Sequence, residues 1–169
     1  MTTQELDAAT LEFAEQVFNA ARTGNTQQLN NWFEQGLVAN LRNAKGDSLL
    51  MLASYHGHLE ATKLLLEKGA DPALVNFRGH TPLAGAAFKG DIEMVKLLLA
   101  AGADVEGLCA DGKTALMMAT MFNHPSIMQL LKEAGANVHH QDQQGAGLRD
   151  AANLTHAKEA LALLNEWGL

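Results

Sequence analysis

Residues 76–108 read NFRGHTPLAGAAFKGDIEMVKLLLAAGADVEGL, and this stretch decides the fold. Thr81 and Pro82 open a helix: the hydroxyl satisfies free backbone N–H groups, and proline at the first helical position gives up a donor that has no partner there. The helix runs from Pro82 to about Lys89. Its Leu83, Ala86 and Ala87 are apolar and mostly small, so a neighbouring helix can come close. Gly90 ends it where a left-handed residue is cheapest. A second helix spans about Ile92 to Ala101, with Ile92, Val95, Leu98 and Leu99 forming one apolar stripe at helical spacing. Gly102 stops it, and Ala103, Asp104 and Val105 lead into a turn that ends at Gly112. The unit is helix, turn, helix, extended turn.

The unit recurs. Gly46, Gly79, Gly112 and Gly145 follow one another at intervals of 33, and Gly36, Gly69, Gly102 and Gly135 keep the same interval. Two registers sharing one period mean that one structural unit is copied along the chain, as in a solenoid.

The copies resemble the ankyrin repeat. Its Gly-x-Thr-Pro-Leu pattern stands as Gly79-His80-Thr81-Pro82-Leu83, and its second helix as Gly90-Asp91-Ile92-Glu93-Met94-Val95-Lys96-Leu97-Leu98-Leu99, followed by Gly102-Ala103-Asp104-Val105. The preceding copy carries Gly57-His58-Leu59-Glu60 and Gly69-Ala70-Asp71-Pro72. The following one carries Gly112-Lys113-Thr114-Ala115-Leu116 and Gly135-Ala136-Asn137-Val138. The resemblance implies an all-α ankyrin-repeat solenoid of stacked helix-turn-helix units with projecting turns. We expect three full repeats over 43–141, an N-terminal helix with a degenerate capping repeat over 1–42, and a C-terminal capping repeat over 142–169. Terminal copies diverge because one of their faces meets water. The stretch Asp7 to Arg22, with Leu11, Ala14, Phe18 and Ala21 at helical spacing, is expected to pack as a helix on the first repeat.

Several positions depart from the family pattern. The family's histidine after Thr-Pro-Leu is replaced by Met51, Ala84, Met117 and Asp150, so its hydrogen bonds between repeats are absent or replaced. Ser48-Leu49 and Gly147-Leu148 stand for Thr-Pro. Gly85 lies inside a helix, at a cost of roughly 1 kcal/mol against alanine. Asn123 replaces the glycine between helices and Pro125 begins the next one, which makes the third full repeat the one expected to fray first.

Charge and composition narrow the function. The 169 residues carry a net charge of −7, with 47% hydrophobic and 18% charged residues. A globular chain follows, and one without the concentrated basic face that nucleic acid needs. Met1 to Asp7 has no basic or apolar leader character, and the uncharged run Thr114 to Leu131 is broken by Asn123, His124, Pro125, Ser126 and Gln129, so neither a signal peptide nor a membrane span is expected. A cytoplasmic protein is the default. Cys109 is the lone cysteine, a small hydrophobe or a loop residue. His56 with His58, His139 with His140, and His124 lack the convergent ligand sets of a metal site. No phosphate-cradling loop, nucleophile elbow or paired carboxylate appears, so no cofactor, metal or enzymatic site is expected.

The resemblance places partner contacts at turn tips and at the outer ends of first helices. The helix positions are Arg22 and Thr23, Tyr55 and His56, Phe88 and Lys89, Met121 and Phe122, Leu154 and Thr155. The turn tips include Lys45, Phe77, Arg78, His80 and Lys113. Tyr55, Phe88 and Met121 share one repeat position, with Phe122 beside them, in a chain with only 5% aromatics. Aromatic, Met and Arg side chains are enriched at interface centres. The candidate partner-binding set is therefore Tyr55, His56, Phe77, Arg78, His80, Phe88, Lys89, Lys113, Met121 and Phe122, an apolar strip with a basic edge, oriented with help from Lys45. Packing between repeats and self-association through the strip are the competing readings of these side chains. Docking of a partner protein in the groove is the expected function; a regulatory subunit or inhibitor of one enzyme, and an enzyme with an unrecognised site, are its alternatives.

Overall fold

A computed structural model describes residues 8–169. The expectation about a leader in Met1 to Asp7 lies outside the described residues. Among those residues there are ten helices and no extended strand: α1 (Ala8–Thr23), α2 (Thr26–Glu34), α3 (Leu49–Tyr55), α4 (Leu59–Glu67), α5 (Pro82–Lys89), α6 (Ile92–Ala100), α7 (Ala115–Met121), α8 (Pro125–Glu133), α9 (Leu148–Thr155) and α10 (Lys158–Glu166). Each odd helix pairs with the even one after it. The odd helices then pack on each other in one row and the even helices in another. The expected all-α solenoid is what forms.

Capping hydroxyls start the inner helices. Ser48, Thr81 and Thr114 accept hydrogen bonds from the backbone N–H of Met51, Ala84 and Met117 at 3.1, 3.1 and 3.3 Å. At the last copy Gly147 has no side chain to offer, and the cap is inverted: its own N–H donates to the Asp150 carboxylate at 2.9 Å. The departures at Gly147 and Asp150 are one compensated change.

The rows differ in side-chain size. Ala20, Ala53, Ala86, Ala119 and Ala152, one period apart, are all buried along the odd row. Leu65, Leu98, Leu131 and Leu164, also one period apart, are fully buried in the even row. Small residues let the inner helices approach closely while leucines fill the space behind them, so each layer is a wedge and the stack curves toward the alanine row. Each buried leucine contributes about 1.5–3 kcal/mol.

The turns nest as well. The N–H of Phe77 donates to the carbonyl oxygen of Lys45 at 3.1 Å, and that of Gln143 to Asp111 at 3.2 Å. The Asn76 amide donates to the Asp47 carboxylate at 2.9 Å. These bonds tie neighbouring turns to each other. Gly79 is required by this nesting: a Cβ there would lie 2.4 Å from that of Ala110. Within the turns Asn43, Asn76 and Asp142, at equivalent positions, each accept two backbone N–H groups, at 2.8–3.0 Å. Cys109 occupies the same register without an oxygen to accept them, and its thiol is buried.

Asn123 takes the left-handed conformation, φ 60°, that glycine supplies at positions 24, 57 and 90 and His156, φ 57°, supplies at the last copy. Its amide reaches the next layer, where Oδ1 accepts from the Ala160 N–H at 2.9 Å and Nδ2 donates to Glu159. The substitution that marked this repeat as a weak point also ties it to its neighbour.

Candidate partner-binding groove

A groove of about 610 Å³ opens on the concave side of the first three layers. Phe18 and Arg22 enter it from α1, Tyr55 and His56 from the end of α3, Phe88 from α5, and Lys45, Arg78 and His80 from the turn tips. The inner helices are short, so their C-terminal residues fall at the rim, where the projecting turns close the other wall.

Its apolar side is a ladder of rings. The rings of Tyr55 and Phe88, one 33-residue step apart, lie parallel within 13° with centroids 6.2 Å apart. Phe88 in turn meets Phe122 edge to face at 4.3 Å. The Lys89 ammonium sits 5.1 Å from the centre of the Tyr55 ring. Tyr55 and Phe122 remain 39% and 41% exposed. The ladder packs on itself and still presents its edges to solvent, so packing between repeats and exposure both hold for these side chains.

The remaining candidates are placed differently. Met121 is in the repeat register of Phe88, but Phe122 supplies the third ring. Helix length does not separate them: α3 and α7 end at the same register, at Tyr55 and Met121, and α5 runs one residue further to Lys89. Phe122, in the register of Lys89, has left the helix. Phe77 is 74% exposed, but at the turn tip, with the Arg42 guanidinium 5.8 Å from its ring centre and Gly46 beneath it. Lys113 is turned inward, 2.6 Å from the Asp111 carboxylate and 3.6 Å from that of Asp142. It joins two turns and is not a free cation at the rim. The groove lining does not include Phe77, Lys89, Lys113, Met121 or Phe122; Lys89 and Phe122 stand beside it, against Tyr55 and Phe88.

His56 lies among cations. Burial of part of its ring, then His58, Arg22 and Lys89, hold its pKa below the ordinary imidazole value. His58 is the N-cap residue of α4. It makes no side-chain cap there; instead its Nε2 lies 2.8 Å from the Arg22 carbonyl oxygen.

Phe18 and Glu15, on α1, also line the groove, although they are absent from the set expected from the sequence, where α1 is a helix packed on the first repeat. Their signal is register: Arg22 stands 33 residues before Tyr55, which puts the last turns of α1 in the inner row. Among the described residues no group of three or more His, Cys, Asp or Glu side chains converges as a metal site would need, and no helix is long and apolar enough to cross a membrane.

Comparison with known proteins agrees with this architecture. A family model for ankyrin repeats (3 copies) matches residues 17–108 and 69–142. Over 60 residues the chain is 60% identical to a Pseudomonas aeruginosa protein that carries the name ankyrin repeat protein, a match covering 36% of this chain and 35% of that one. The match thus spans about a third of that relative's length.

Proposed function

We propose, from the premise that this chain belongs to the ankyrin repeat family, that it docks a segment of a partner protein in the concave groove of its first three layers. Ankyrin repeats are in general protein-interaction modules and not enzymes. The observation that carries the proposal is the Tyr55–Phe88–Phe122 ladder, with Tyr55 and Phe88 in the groove wall, Phe122 against Phe88 at its edge, and Tyr55 and Phe122 more than a third exposed. Exposed aromatic side chains seated in a concave, rigid surface are what interface centres are made of.

Tyr55, Phe88 and Phe122 supply apolar contact, and His56, Arg78, His80 and Lys89 supply orientation. Rigid-surface docking follows from the wedge packing of alanines and leucines, which leaves little room for rearrangement. The test is affinity capture from native lysate with the full chain and with Phe88→Ala plus Phe122→Ala, the folded state of both checked by thermal unfolding. A protein held by the parent and lost by the folded double variant supports docking on the ladder. Equal capture by both refutes it.

A further inference from the structure

The chain as a whole is acidic, with a net charge of −7, and the groove is not. Arg22, Lys45 and Arg78 line it, against Glu15 and Asp47, and Lys89 stands over the Tyr55 ring at its edge. None of these four cations is in an ion pair among the described residues. The ion pairs there are Lys63 with Glu60, Lys96 with Glu93, and Lys113 with Asp111 and Asp142. Asp47 is already engaged, accepting from Asn76 at 2.9 Å and from Asn43 at 3.3 Å. The donors to Asp47 are neutral amides and leave its charge in place, so the balance at the groove is four cations outside any ion pair against two carboxylates, in a molecule whose net charge is negative.

We infer that the segment docked in this groove is an acidic peptide stretch, its carboxylates meeting Arg22, Lys45, Arg78 and Lys89 while an apolar side chain between them lies on the Tyr55–Phe88 rings. This inference rests on the docking reading and specifies its chemistry. Lysine and arginine outside any ion pair, flanking an apolar floor, are complementary to carboxylates flanking an apolar side chain, and such complementarity fixes orientation and rejects wrong partners. The groove volume falls within the range of about 300–1,000 Å³ typical of small-ligand sites, which suits a few side chains of a segment rather than a whole helix. A nucleic-acid strand is a poorer fit: the four cations are not backed by a wider basic face, and the net negative charge repels a long polyanion. The proton affinity of His56 is lowered first by partial burial, and the further lowering by His58, Arg22 and Lys89 is in keeping with a locally positive site.

The experiment is selection of a phage-displayed library of random peptides on the full chain at low salt. Anisotropy measurements follow, with the enriched peptides as synthesised, with versions in which Asp and Glu are changed to Asn and Gln, and with a single-stranded deoxythymidine oligonucleotide. The expected result is enrichment of Asp and Glu around an apolar residue. At least tenfold weaker binding is expected for the neutralised peptides, and again for the exposed double reversal Lys45→Glu plus Arg78→Glu. Enrichment of neutral or basic peptides, no enrichment, or tighter binding of the oligonucleotide would each overturn the inference. Chemical-shift mapping separates the two levels. Neutral peptides perturbing Tyr55 and Phe88 would leave groove docking standing and remove only its acidic preference. Acidic peptides mapping elsewhere would remove both.

Discussion

The imidazole of His58 reaches back one layer and sets its Nε2 2.8 Å from the backbone carbonyl oxygen of Arg22. Two periods later the arrangement returns, with Nε2 of His124 3.2 Å from the carbonyl oxygen of Phe88. In between, the same register holds Asp91, which instead caps α6 through the Met94 N–H at 3.0 Å. Both carbonyls belong to residues that line the groove. The two histidines therefore fix, from behind, the backbone that presents Arg22 and Phe88.

Gly24 is the residue that makes room for the first of these contacts. A Cβ there would lie 2.6 Å from the His58 ring, on a backbone with φ +72°. Left-handed backbone costs an L residue roughly 1–2 kcal/mol before any clash is counted. Gly24→Ala is expected to lower unfolding stability by about 2 kcal/mol or more in urea titrations, and His58→Ala by about 1 kcal/mol. With both changes the clash disappears while the backbone strain remains. The double variant should therefore lie above the sum of the two by about 0.5 kcal/mol or more. Strict additivity would mean that the ring and the glycine are not coupled.

Cys109 is the one turn position of its series without an oxygen acceptor. Asn43, Asn76 and Asp142 each hold two N–H groups there, and at Cys109 the Asp111 carboxylate takes over one of them, the Lys113 N–H, at 3.2 Å. Burial pushes the Cys109 thiol pKa up, so the neutral thiol is the form present around neutral pH. Cys109→Asn restores the local pattern and is expected to stabilise the chain by about 1 kcal/mol, the net worth of a hydrogen bond, seen as a higher urea midpoint at unchanged slope. A lower midpoint would show that the pocket around the thiol cannot take an amide.

How much of this was readable in advance follows from what repeats. Thr81, Pro82 and Gly90 mark α5 at both ends, and the structure begins and ends that helix at Pro82 and Lys89. Tyr55 and Phe88 share a register and do stack. Met121 shares the register of Tyr55 and Phe88, but Phe122 beside it supplies the third ring, and the repeat register does not tell these two neighbours apart. Lys113 pairs first with Asp111, two residues away at 2.6 Å, and also faces Asp142, 29 residues away at 3.6 Å; only the second contact has no local pattern. The His58 and His124 contacts were legible in principle, since Gly24 and Gly90 keep the same 66-residue separation as the two histidines. A search for single-residue roles does not pair them.

Gly85 was flagged as a helix-interior glycine. Its missing Cβ would meet the Tyr55 ring at 3.5 Å, an ordinary contact, on a backbone any residue adopts. Gly85→Ala is expected to raise stability by about 0.5–1 kcal/mol through helix propensity. The added methyl also touches the groove floor, so thermal unfolding and peptide affinity should be read on the same sample. A loss of stability would show that the groove wall at Tyr55 is tighter than ordinary contact.

His56 gives the groove a pH signature. Its neighbours are Glu15 and Arg22 on α1, Tyr55 beside it, His58 at the start of α4 and Lys89 at the end of α5. A histidine whose folded pKa is depressed takes its proton more readily in the unfolded chain. It therefore contributes to stability above the ordinary imidazole value of about 6.5 and loses that contribution as pH falls through the folded value. An acidic segment in the groove acts oppositely, drawing the His56 pKa back up, so its affinity should rise as pH falls from about 8 to about 6. An NMR titration of the His56 ring, free and peptide-bound, should show the upward displacement, and His56→Gln should flatten the affinity profile. An unchanged titration would place the bound carboxylates away from His56.

Asp142 does two separable things. Its Oδ1 accepts the N–H groups of Gln144 and Ala146 at 2.9 and 3.0 Å, and its other oxygen faces Lys113 at 3.6 Å. Asn43 and Asn76 perform the first task without a charge. Asp142→Asn should therefore cost less than about 1 kcal/mol, the usual worth of an ion pair near the surface. Asp142→Ala strands two donors and should cost about 1–3 kcal/mol. Acid separates them further. Backbone N–H donors, more than Lys113, hold the Asp142 carboxyl below its ordinary range, and Lys113 does the same for Asp111. Both contributions are complete above the unfolded carboxylate value of about 3.9 and fade as pH falls through the lower folded values. Lys113, raised by the Asp111 partner first, contributes below about 10.5 and loses that at higher pH. Asp142→Asn removes one of the two carboxylates and should unfold with a shallower dependence on pH below about 4, while hydrogen exchange at residues 143–147 stays slow. Rapid exchange there in the asparagine variant would mean that the charge, and not the pair of accepted hydrogen bonds, holds the last turn against the stack.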